Sequence, residues 1–200
     1  MRHLPNARKR TEGSALLEFA IVLPLLVVFI VGIYDFSGAY IQKQKIGHAA
    51  QAGAIAAAGQ PTGDMDPTIG NPESLQPVVN VIFNSLAAEG VLPLANQGNC
   101  KPAAAIVSNS ALKWIYSISD CWNYPADATP GCVSDPADKL RITIDRGRVE
   151  ATPPVTVGTQ VEVSYTYHWR FNSAIQLLIP GAGYSAKTCL SETATVHNQM

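Results

Sequence analysis

The sequence predicts an α+β protein in which a long N-terminal transmembrane helix continues into an extracytoplasmic domain, where a roughly four-stranded antiparallel sheet packs on helices. Three observations predict it. Residues 19–33, FAIVLPLLVVFIVGI, form a long uncharged run. Residues 34–58 are free of proline and rich in alanine, and beyond Cys100 the apolar residues change to a period of two. Four segments follow from that order: a basic leader (1–13), the membrane and extended helix (14–58), a loop with a second helix (59–99) and a β-rich region (100–200).

The uncharged run, extended back to Leu16 and forward to Tyr34, reaches the roughly 20 residues a helix needs to cross hydrocarbon. Arg2, Arg8, Lys9 and Arg10 precede it and Asp35 follows it. Basic residues are retained on the cytoplasmic side, so the expected orientation places the leader inside and the remainder outside. A cleaved signal peptide is the rival reading. Its apolar core is usually only about 7–15 residues, and the best small-residue site here, Ser37-Gly38-Ala39, follows the bulky and charged Tyr34-Asp35-Phe36. Pro24 removes one backbone hydrogen bond within the run, which membrane helices tolerate, and predicts a kink.

Composition agrees with partial lipid exposure. Charged residues make up 14% of the 200 and hydrophobic ones 47%, against about 25% charged in ordinary soluble domains. The net charge of -1 supplies no field for a nucleic-acid partner.

Glu18 departs from the pattern, standing one turn inside the apolar segment, where an unpaired carboxylate costs a few kcal/mol. Either it snorkels to the interface or it has a partner. Its surroundings, RTEGSALLEF, place Gly13 five residues before Glu18 and six before Phe19. This arrangement resembles the processing motif of type IV pilin-like proteins. With AIVLPLL (20–26) and Tyr34, Asp35 and Phe36, it resembles the TadE-like pseudopilins of tight-adherence pilus systems in particular. The resemblance covers about residues 8–58, and Ser14 departs slightly from the alanine usual after the cut.

The resemblance implies cleavage after Gly13 by a prepilin peptidase and a role for Glu18 in processing or assembly. It also implies membrane lipid and other pilin or pseudopilin subunits and assembly proteins as partners, and residence in the bacterial cytoplasmic membrane. Cutting there would leave an amine on Ser14 four residues before Glu18, an opposite charge at helical spacing or between subunits.

Beyond the run, Gly59-Gln60-Pro61 should stop the helix. Ala49, Gly53 and Ala57, and likewise Ala50, Ala54 and Ala58, recur every fourth position. That spacing allows close approach, either to the protein's own sheet or to another subunit. Residues 60–74 read as a loop, with Asp64 and Asp66 suiting a turn better than a calcium loop. A second helix is expected over 77–89, where Val78, Val79, Ile82, Phe83 and Leu86 share a face and Gly90 ends it. Strands are expected over 112–119, 140–145 and 159–171, with an edge strand over 187–197. Residues 172–185 read as a short helix on the core or as a partner surface, and Arg146-Gly147-Arg148 as a solvated turn.

Cys100, Cys121, Cys132 and Cys189 lack the close spacing of zinc, redox or haem motifs and read as disulfides formed outside the cytoplasm. Three pairings are open, and short loop closure favours Cys121 with Cys132. Nucleophile-elbow, zinc-protease, phosphate-loop and dinucleotide motifs are all missing from the sequence. His48 reads as solvated or capping. His168 and His197 with Cys189 lack paired metal-ligand spacing. No enzyme, cofactor or metal site is therefore expected. The functional alternative to a pseudopilin is a membrane-anchored extracytoplasmic binding module.

Overall fold

A computed structural model describes residues 9–64, 66, 71–92, 106–107, 112–118, 132, 140–150, 156–169 and 187–198. Its elements are α1 (Lys9–Ala58), α2 (Leu75–Ala88), β1 (Ile106–Val107), β2 (Lys113–Ile118), β3 (Leu140–Glu150), β4 (Thr156–His168) and β5 (Lys187–His197). The chain divides into two compact units, Met1–Gly38 with Trp169–Ser185, and Ala39–His168 with Ala186–Met200.

In the first unit, α1 is helical through Pro24. Its apolar side chains face outward: Phe19 is 63% exposed, Phe29 63% and Ile33 69%. None of its most apolar window is buried, so α1 is a candidate membrane span by length and composition. Asp35 differs from its neighbours in being buried. The ring of Phe36 meets that of Trp169 edge-on, with centroids 5.0 Å apart.

The second unit is a five-stranded antiparallel sheet in the order β1-β2-β3-β4-β5. The four expected strands are present, and the two-residue β1 is an addition too short to show a period. Registers align the apolar residues of one face into rows, Trp114 with Ile144 and Val161, and Tyr116 with Ile142 and Val163. These side chains are fully or almost fully buried, as are Ile46, Ala49, Ala50, Ala54 and Ala57 of α1 and Leu75, Val78, Val79, Ile82 and Leu86 of α2. Each large one contributes roughly 1.5–3 kcal/mol by leaving water. A methyl on Gly53 would lie 3.5 Å from Val161 Cγ1, so the small-residue face of α1 packs on the protein's own sheet and on α2.

α1 ends at Ala58, ahead of Gly59-Gln60-Pro61, as expected. α2 begins two residues earlier than its periodicity suggests, because the Ser74 N–H donates to Asp64 Oδ2 at 2.8 Å and a carboxylate thereby caps the helix start. Its other end is a Schellman motif: Gly90 has φ 69°, its N–H donates to Ala87 O, and the Val91 N–H donates to Leu86 O.

Two expectations are corrected. Arg146-Gly147-Arg148 is not a solvated turn. It lies inside β3 at a bulge between Asp145 and Arg148, and Arg146 is only 2% exposed. Dihedrals at a bulge keep a strand going through a Gly that sequence patterning reads as a turn. Cys132 is bonded to Cys189, not to Cys121, with Cα atoms 4.7 Å apart and a sequence separation of 57. The β4–β5 register sets Cys189 opposite Thr166, whose hydroxyl donates to Cys132 Sγ at 3.6 Å. Pairing across the sheet thus overrides short loop closure. The expected short helix over 172–185, Cys100 and Cys121 lie outside the described residues.

Candidate functional site: the N-terminal helix and its processing motif

Gly13, Ser14, Glu18 and Phe19 all lie in α1 and all are exposed. The helix runs through them without interruption, from Lys9 onward. Nothing outside the helix's own backbone stands within 4 Å of where a Cβ on Gly13 would be. Glu18 is exposed, as are its apolar neighbours Leu16, Leu17 and Ile21. An exposed carboxylate among exposed apolar side chains would be costly in hydrocarbon without a counter-charge. The structure therefore brings the four motif residues together on one accessible helical segment.

In the second unit, a groove of about 570 Å³ runs between α1 and β5, lined by residues including Tyr40, Lys43, His48, Glu192, Ala194 and Val196. Its charges are paired: Lys43 Nζ lies 3.1 Å from Glu192 Oε1. His48, 70% exposed, lies 3.5 Å from Glu89, whose carbonyl accepts from Lys45 Nζ at 2.6 Å. Among the described residues, no group of three or more His, Cys, Asp or Glu is placed to hold a metal ion, and Cys189 is committed to its disulfide.

Sequence reasoning missed the polar cluster around Arg146. Arg146 Nη2 donates to Gln60 O at 2.9 Å, while its Nε and Nη1 are buried without a hydrogen-bond partner among the described residues. Burial holds its pKa below the ordinary guanidinium value, an effect opposed by the Asp64 charge. The Asp64 carboxyl is held below the ordinary carboxylate value, first by the Ser74 backbone N–H and then by the Ser74 side chain. The Tyr116 hydroxyl donates to Asn71 Oδ1 at 3.1 Å, and burial pushes its pKa up to about 12. These contacts tie the α1–α2 loop to β2 and β3. The buried Arg within a strand was the available signal, hidden by the adjoining Gly.

No curated protein and no solved structure matches the chain. A protein-family model does match, over residues 13–54, beginning at Gly13. The family is described as TadE-like protein, and residues 13–54 of this chain are similar to it.

Proposed function

We propose that the protein is a minor pseudopilin-like component of a tight-adherence pilus assembly system. It is anchored by α1 in the bacterial cytoplasmic membrane, with the leader in the cytoplasm and the sheet-bearing unit outside, and a prepilin peptidase cuts it after Gly13. It acts through membrane anchoring and contacts with other pilin-like subunits and assembly proteins. The observation that carries this reading is the TadE-like match beginning at Gly13, on a helix whose Gly13, Glu18 and apolar span are exposed. Glu18 would then meet the new Ser14 amine, in its own chain or a neighbour's, which offsets the cost of a carboxylate in low dielectric.

The test is the N-terminal residue and intact mass of the membrane-extracted protein from a host with its prepilin peptidase, compared with Gly13→Ala and Glu18→Ala. A chain starting at Ser14, and not produced from Gly13→Ala, is the expected result. A wild-type chain still carrying the leader reduces α1 to a plain anchor and transfers the reading to a membrane-anchored binding module. A start near Tyr40 identifies a cleaved signal peptide instead.

A further inference from the structure

The charge-free surface of α1 outlasts its hydrophobic core. Between Phe19 and Gln42 the only charged residue is Asp35, and Asp35 is buried. At 1.5 Å per residue this stretch is about 36 Å long, against roughly 30 Å for the hydrocarbon of a bilayer. The excess falls on the turns that carry Tyr34 and Phe36, which are 67% and 68% exposed. Among the described residues, Trp169 also stands at this level. It is the first residue after β4, it is half-buried, and its ring packs edge-on against Phe36 at an interplanar angle of 67°. Trp169 belongs with the first part of α1 in one unit, and after Arg170 the sequence from Phe171 to Ala186 contains no charged side chain.

Indole and phenol rings collect at the boundary between headgroups and acyl chains, because the ring is apolar while its N–H or O–H keeps a polar partner. We propose that Trp169, braced by Phe36, is an aromatic anchor seated in the headgroup layer of a phospholipid bilayer. The chain then touches lipid twice, through the span of α1 and again where β4 ends. The occupant is lipid because the pair continues, without an exposed charge between them, the apolar surface of the span. This inference rests on the membrane placement of α1 proposed above.

The full-length protein and its Trp169→Phe variant, reconstituted in vesicles of phosphatidylcholine and phosphatidylglycerol, provide the test. The difference between their emission spectra reports Trp169 alone, and phenylalanine preserves an aromatic ring against Phe36. The difference signal should lose more than half its intensity with lipids brominated near the glycerol end. It should lose less with lipids brominated near the chain end, and little with aqueous iodide. A signal that iodide quenches and bromolipids spare puts Trp169 in water and overturns the proposal. A signal that neither quenches puts it inside protein and overturns it equally. Extraction at alkaline pH separates the two readings. Protein released from the vesicles refutes the membrane placement itself, whereas retained protein with an unquenched Trp169 refutes only the anchor.

Discussion

Gly53 of α1 lies so close to Ile82 of α2 that a methyl on Gly53 would stand 2.5 Å from Ile82 Cδ1 and nearer still to its Cγ1. That approach lets α1 and α2 cover the same apolar face of the sheet, since a helix needs a missing side chain to let a β-branched neighbour reach its backbone. Ile82 is fully buried there.

Gly53→Ala gains about 1 kcal/mol of helix propensity but overpacks this contact, at a cost of about 1–3 kcal/mol. A net loss of stability is expected in detergent denaturation. Ile82→Ala on its own is also destabilising, through the cavity it leaves. In the double variant the two losses should add up to less than their sum, because the truncated side chain vacates the space the methyl needs. Additive losses would show that the two helices are not in contact at this point.

The Cys132–Cys189 disulfide closes a loop of 57 residues. Chain-entropy arguments put its contribution at about 4 kcal/mol. Replacing both cysteines with serine should lower the denaturation midpoint of the oxidised protein and leave the midpoint under reducing conditions nearly unchanged. A non-reducing digest of the wild type should yield the two cysteines in one linked peptide pair; recovery of Cys132 with Cys121 would refute the pairing.

Arg146 is a buried cation with an incompletely satisfied guanidinium. Arg146→Ala removes the bond to Gln60 O and leaves a void, for an expected loss of about 2–4 kcal/mol. Arg146→Met refills the volume without a charge to desolvate and should cost clearly less, since apolar replacement of buried charges is often tolerated. A methionine variant as unstable as the alanine one would mean that Arg146 contributes net electrostatic stabilisation.

Tyr116 supplies an alkaline limit. Its pKa rises from 10.0 to about 12 on folding, so the protonated hydroxyl favours the folded state. The associated stability, about 3 kcal/mol at most, is complete below pH 10 and disappears as pH climbs through 12. Tyr116→Phe should flatten that alkaline decline, at a cost near neutrality of about 1 kcal/mol for the bond to Asn71. At the acid end, Asp64 has its pKa lowered by folding, so its contribution holds above pH 3.8 and is lost as pH falls through the lower folded value. Asp64→Asn should remove that dependence.

The sequence by itself determined the elements whose causes are local. An uncharged run followed by alanines without proline can only be a long helix, and its end before Gly59, the Gly90 terminator and the edge position of Lys187–His197 follow from backbone preferences and two-residue alternation. The Gly13–Glu18–Phe19 motif was equally legible, since its residues stand close together in the chain. Tertiary structure decided what depends on residues far apart. Cys132 is bonded to Cys189, 57 positions on, which the β4–β5 register sets opposite the Thr166 that also meets Cys132. The burial of Arg146 follows from a bulge that keeps β3 extended through Gly147, and the use of the small-residue face follows from Ile82 reaching Gly53. Pattern reads the preference of a segment for a conformation, but register and packing arise only when one segment meets another.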